Sequence, residues 1–168
     1  MGNIRLSVAG SALRNTGPVL ETKTRILAST LESIDCAESV VLEVARRSGL
    51  CEITLEHIGL AVHEVVTNAI VHGNRSNAQE KVVVTVSRSP DELKILISDQ
   101  GNGFDADCLL DPLSPQGLLQ GSGRGIYLAR TFMDEFCVQF DDAGGTTVTM
   151  VKYLSSANAG PLRRSRCY

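Results

Sequence analysis

Between residues 54 and 73 the apolar positions recur at helical spacing. Ile58, Val62, Val65 and Ala69 are separated by four, three and four residues, which predicts one buried stripe of a helix. Beside it runs a polar row, Glu64, Asn68 and His72, four residues apart in an otherwise apolar stretch. A helix puts these three on one face with a slow drift around its axis. Such a row suits the acidic, hydrogen-bonding wall of a pocket, or a polar face turned to water; taken alone it favours water. Thr54 is expected to start this helix, with Glu56 and His57 in its first turns, and Gly73 to end it.

Upstream, residues 3–9 alternate and suit a strand or a loose extension, Gly10–Thr24 reads as linker, and Arg25–Ser29 as a short strand. Cys36–Arg47 predicts a helix whose apolar side is Val40, Val41, Val44 and Ala45, closed by Gly49. After a polar loop, Asn74–Ala78, the period changes to two. Lys81–Arg88 and Leu93–Ser98 predict a hairpin turning at Ser89-Pro90-Asp91, with Leu93, Ile95 and Ile97 buried. Cys137–Asp141 and Thr146–Tyr153 predict two more strands, joined through Gly144-Gly145.

Two glycine-bearing segments interrupt this frame. The hairpin runs into Asp99-Gln100-Gly101-Asn102-Gly103-Phe104-Asp105, where a carboxylate at a strand end is followed by glycines that let backbone approach a ligand. A plain turn explains that segment alone equally well; a calcium loop does not, because its oxygen ligands are more regularly spaced. Later, Gly121-Ser122-Gly123-Arg124-Gly125 precedes a helical stretch expected to reach Phe136. Exposed N–H groups at a helix start are a general solution for holding phosphate. The spacing matches neither the dinucleotide fingerprint nor a Walker loop.

Composition narrows the classes. With 168 residues the chain suits one domain, and 43% hydrophobic with 21% charged residues is ordinary for a globular protein. A net charge of −3, 4% aromatics and no Trp argue against a nucleic-acid partner. Five dispersed cysteines read as reduced thiols of a cytoplasmic protein, and no apolar run suggests a leader or membrane span.

Three signals now stand in order: Glu-x3-Asn-x3-His-Gly on a helix, Asp-x-Gly-x-Gly after a strand, and Gly-x-Gly-x-Gly opening a helix, with Gly-Thr-Thr starting the last strand. Together they resemble the Bergerat-fold ATP-binding domain shared by DNA gyrase, heat-shock chaperones, histidine kinases and anti-sigma factor kinases. Glu64–Gly73, Phe132-Met133-Asp134-Glu135 and Lys152-Tyr153-Leu154 resemble most the anti-sigma factor serine/threonine kinases. The resemblance implies a two-layer α/β (α+β) sandwich, a mixed, largely antiparallel sheet covered by helices on one face. It covers residues 25–154, leaving 1–24 as an N-terminal extension and 155–168, with Arg163, Arg164 and Arg166, as a mobile tail.

The resemblance also implies roles, with ATP and Mg²⁺ as cofactors. Asn68 matches the magnesium ligand and Glu64 the general base. Asp99 matches the adenine acceptor, with Gly101 and Gly103 making room for the base and Thr146 beside it. Gly121, Ser122, Gly123 and Gly125 match the lid and helix start around the phosphates. Arg124 is a candidate γ-phosphate partner or a solvated lid residue. His72 is a candidate phosphate contact or a structural residue at the helix end, and His63 a satisfied, partly buried histidine. Lys152 is expected at the surface end of the last strand, and Leu109–Gln120 is expected to be disordered without nucleotide.

The implied function is an ATP-dependent serine kinase that phosphorylates an anti-anti-sigma (STAS) protein and holds a sigma factor inactive. It would be a cytoplasmic homodimer without membrane or nucleic-acid contact. The alternatives are a non-catalytic ATP-dependent switch module and a detached histidine-kinase catalytic domain. One departure stands out. Where the family carries a partner-gripping arginine on the helix before the central one, this chain has Glu38, with Arg46 and Arg47 further along.

Overall fold

The computed structural model describes residues 17–101, 124–141 and 144–154. Its elements, in chain order, are β1 (Glu21–Ala28), α1 (Glu32–Arg46), α2 (Glu52–Asn68), β2 (Lys81–Arg88), β3 (Glu92–Ser98), α3 (Arg124–Phe132), β4 (Glu135–Phe140) and β5 (Thr146–Tyr153). A π-helical turn, Ala69–Gly73, continues α2.

The five strands form one sheet in the order β1-β2-β3-β5-β4, and all four ladders are antiparallel. Strand alternation decides which face is buried. Val82, Val84 and Val86 of β2, Leu93, Ile95 and Ile97 of β3, and Val148 and Met150 of β5 point into one core. There they meet Ala37, Val41 and Val44 of α1 and Ile58, Val62 and Val65 of α2. The expected two-layer α+β sandwich is therefore present, and the predicted stripe of the central helix is its inner face. Ile58 and Val62 are fully buried. At about 25 cal/mol per Å² of apolar surface, each such side chain contributes on the order of 2 kcal/mol.

Several boundaries differ from expectation. β1 begins at Glu21, inside the stretch read as linker, because Glu21–Thr24 pair with Arg88–Thr85 of β2. As an edge strand with Ile26 70% exposed, it lacks the apolar alternation that marks a buried strand. α1 starts at Glu32 rather than Cys36, with Glu32 and Asp35 in its first turn, where carboxylates favour the helix dipole. Gly49 follows α1 at φ +70°, a conformation that suits glycine.

α3 stops at Phe132, four residues before the expected Phe136, which lies instead in β4. The stop has an identifiable cause. Lys152 Nζ donates to Phe132 O (3.1 Å) and Asp134 Oδ1 (3.2 Å), while Asp134 accepts from Tyr153 N (2.8 Å) and donates its own N–H to Val151 O (2.9 Å). Lys152, expected at the surface end of β5, thus fastens the end of α3 to that strand. β2 and β5 have the expected bounds; β3 and β4 start at Glu92 and Glu135 rather than Leu93 and Cys137. The 3–9 strand, the lid 109–120 and the tail 155–168 lie outside the described residues. Among the described residues no helix is long and apolar enough to cross a membrane.

Candidate functional site

One end of the sheet gathers the end of β3, the start of β5 and the π-helical turn after α2. Asp99 sits there, 8% exposed. Its N–H donates to Thr146 O (2.9 Å), and its Oδ1 accepts from Gly101 N (3.1 Å) and Thr146 N (3.2 Å). Oδ2 has no hydrogen bond among the described residues and remains available as an acceptor. Burial pushes the Asp99 carboxyl above the usual aspartate range; the two N–H donors pull it back, and Glu80 and Asp141 add slightly to the rise.

Close backbone approach defines this corner. A Cβ on Gly73 would lie 2.6 Å from Asp99 Cγ, and one on Gly101 would lie 1.8 Å from Gly73 O. No side chain fits at either position. Thr146, 1% exposed, is held by Asp99, whose N–H it accepts at its carbonyl and whose Oδ1 its own N–H reaches.

Asn74, read only as part of a polar loop, ties this corner together. It is 1% exposed; its Nδ2 donates to Ser29 Oγ (2.7 Å) and Lys81 O (3.1 Å), and its Oδ1 accepts from Gln100 N (2.9 Å). The only hint in the sequence is an asparagine directly after the helix-ending glycine, where turns are common.

The second wall comes from α2. Asn68 is buried, and its Nδ2 donates to Glu64 O (2.7 Å). That bond engages the amide nitrogen and leaves Oδ1 as the acceptor. One carboxamide oxygen would suit a magnesium ion held mainly by phosphate and water, not by a protein cage. Glu64 is half-buried one turn earlier. Its carboxylate lies against the start of α3, where a Cβ on Gly125 would fall 1.8 Å from Oε2. α2 and α3 are further joined by His57 stacked on Phe132, with ring centroids 4.1 Å apart and planes 3° apart.

The remaining sequence candidates divide. His72 is exposed in the π-helical turn, so the polar row runs from half-buried Glu64 through buried Asn68 to solvent. Gly103, Gly121, Ser122 and Gly123 lie outside the described residues, and Arg124 is described only as the first backbone position of α3. His63 is satisfied, as expected, but not partly buried: its side chain is 46% exposed and its Nδ1 is 2.6 Å from Glu38 Oε1. Glu38 is thus a carboxylate already facing a histidine. A cavity of about 430 Å³ lies between α1 and α2; Glu64 lines it, and Asn68 and Asp99 do not.

A family model described as a histidine kinase-like ATPase domain matches residues 27–152. Anti-sigma F factors of Bacillus thuringiensis (strain Al Hakam), Bacillus mycoides (strain KBAB4) and Bacillus anthracis (strain A0248) are each 39% identical over 107 residues, spanning 62% of this chain and 73% of theirs. The fold resembles the crystal structure of the RsbU and RsbW domains of Rv1364c from Mycobacterium tuberculosis, with a TM-score of 0.58 and 19% identity. That likeness is one of fold; it covers 80% of this chain and 32% of that one.

Proposed function

The chain belongs to the histidine kinase-like ATPase domain family, in its anti-sigma factor group, and from that premise we propose that it is an ATP-dependent anti-sigma factor of the partner-switching type. In the fuller reading it phosphorylates a serine of an anti-anti-sigma (STAS) protein and, when that substrate is scarce, sequesters a sigma factor. We place it in the cytoplasm, acting as a homodimer built on the ATPase domain 25–154.

The observation that carries this reading is the division of labour at Asp99. One carboxylate oxygen is fixed by two backbone N–H groups and the other is left as an acceptor in a corner drawn tight by Gly73 and Gly101. Such an acceptor suits the exocyclic amino group of adenine. Thr146 would lie next to the base, and Gly101, packed against the Gly73 carbonyl, keeps the backbone of this corner close. Gly121, Ser122, Gly123, Arg124 and Gly125 supply N–H groups and charge to the phosphates. His72, exposed in the turn after Asn68, would contact the phosphates.

Asn68 Oδ1 would hold the Mg²⁺, which when bound neutralises phosphate charge. Glu64, one turn away, takes the proton from the serine hydroxyl as its oxygen bonds to the γ-phosphorus and the bond to the ADP oxygen breaks. Positioning and charge stabilisation are most of what this chemistry needs.

A non-catalytic switch would have no chemical use for Glu64. A histidine-kinase reading needs a phosphoacceptor helix, and His63, already facing Glu38, lies on the nucleotide-binding helix itself. Incubation with labelled ATP and a STAS protein separates the three. The proposal expects acid-stable label on serine; no label favours the switch, and acid-labile label on histidine favours the third reading.

A further inference from the structure

The groove between α1 and α2 is acidic above an apolar floor. Leu42, Leu55 and Leu60 form the floor, and Glu38, Glu52, Glu56 and Glu64 stand along its length, against Arg46 and His63. Glu38 faces His63, whereas Glu52, Glu56 and Glu64 have no ion pair among the described residues. Glu52 and Glu56, one turn apart, repel each other and Glu64 stands further along the groove, so cations spaced along it gain from each in turn.

The sequence that follows the fold has the complementary pattern. Leu154 is the last described residue, and Pro161-Leu162-Arg163-Arg164-Ser165-Arg166 comes after it. We propose that this arginine segment docks in the α1–α2 groove of its own chain, with its guanidinium groups on Glu52, Glu56 and Glu64 and Leu162 on the apolar floor.

The path is short. Leu154 N–H donates to Asp91 O at the β2–β3 turn, and Glu21, paired in register with Arg88 at that same end, is bridged by Arg47 at the end of α1. The Arg46–Glu52 mouth of the groove therefore opens at the end of the fold where the chain leaves β5. Nine residues, from 154 to 163, span up to about 30 Å when extended. From Glu52 to Glu64 the helix rises about 18 Å at 1.5 Å per residue. The arginines thus reach along the groove toward Glu64. Guanidinium forks suit paired carboxylates, and a tethered segment acts at an effective concentration of about millimolar. If Glu64 is the base, as the proposed function has it, the docked segment restrains phosphoryl transfer; the docking itself does not depend on that reading.

The test compares ¹⁵N NMR spectra of the full chain with those of the Arg163→Gln/Arg164→Gln/Arg166→Gln variant, without nucleotide. Docking predicts that the amides of Leu42, Gly59 and Leu60 differ between the two, independently of protein concentration, and that the difference collapses at high salt. A synthetic peptide of residues 160–168 should restore the shifts in the variant. Adding Glu52→Gln and Glu56→Gln should weaken that peptide at least tenfold. Identical spectra, shifts that grow with protein concentration, or a peptide indifferent to the glutamates would overturn the proposal. No arm needs kinase activity, so absent phosphorylation would count against the proposed function alone.

Discussion

Gly73 and Asp99 are packed so closely that a single Cβ at position 73 would lie 2.6 Å from the aspartate carboxyl carbon. The glycine ending the central helix is therefore part of the proposed adenine corner, and its neighbour Gly101 would meet the Gly73 carbonyl at 1.8 Å in the same way. Both obstacles belong to backbone or to a doubly hydrogen-bonded side chain, so neither can yield cheaply. Gly73→Ala and Gly101→Ala should each cost about 1–3 kcal/mol. Thermal melts should fall by on the order of 5–10 °C, with ATP binding reduced alongside. Unchanged melting would mean that the corner is looser than described.

The raised carboxyl of Asp99 sets a pH dependence. Its main cause is burial, which favours the protonated form in the fold. The fold therefore holds this proton more tightly than the unfolded chain does. The associated stability is fully present below the ordinary aspartate range and is lost as pH rises through the raised value. Nucleotide affinity runs the other way: protonation turns an acceptor facing the adenine amino group into a donor. ATP affinity should weaken as pH falls through the Asp99 titration, and calorimetry at several acidic pH values measures it. A flat profile would remove Asp99 from base recognition.

Asn68 and Glu64 should separate by assay. Asn68→Ala removes the oriented Oδ1, so ATP affinities measured with Mg²⁺ and with EDTA should converge. Glu64→Gln should leave ATP affinity within about twofold while lowering phosphoryl transfer by about 10²–10⁴-fold. Equal transfer rates in wild type and variant would deny Glu64 the role of base.

Gly125 tests how that base is placed. A Cβ there would fall 1.8 Å from Glu64 Oε2, the far end of a flexible side chain, so the carboxylate would swing aside with little strain. Gly125→Ala should therefore melt near wild type yet transfer phosphate at least about tenfold more slowly, as small misplacements near reacting groups do.

What the sequence made legible follows from burial. The stripe Ile58, Val62, Val65 and Ala69 lies within the core, and β2 and β5, central strands with one buried face, have the expected bounds. Only the second half of edge strand β1 is legible, because Glu-Thr-Lys-Thr at its start carries no apolar alternation and little of it is buried. The end of α3 was missed because it is set by Lys152 and Asp134, which are distant in sequence and meet only in the fold. Asn74 and the His63–Glu38 contact were illegible for the same reason. At the site, the order of the motifs named the residues, but only the fold brings Gly73 against Asp99 and Gly125 against Glu64.

The most direct test of the account is calorimetric titration of ATP with Mg²⁺ into wild type and Asp99→Asn. An asparagine at 99 can keep its oxygen on the Gly101 and Thr146 N–H groups, which turns its amide nitrogen toward the adenine amino group. The predicted result is clear binding by wild type and a loss of about tenfold to a hundredfold in the variant, the cost of facing two donors, with the variant melting no lower than wild type. No binding by wild type, or equal binding by both proteins, would contradict the nucleotide site on which the proposed function rests.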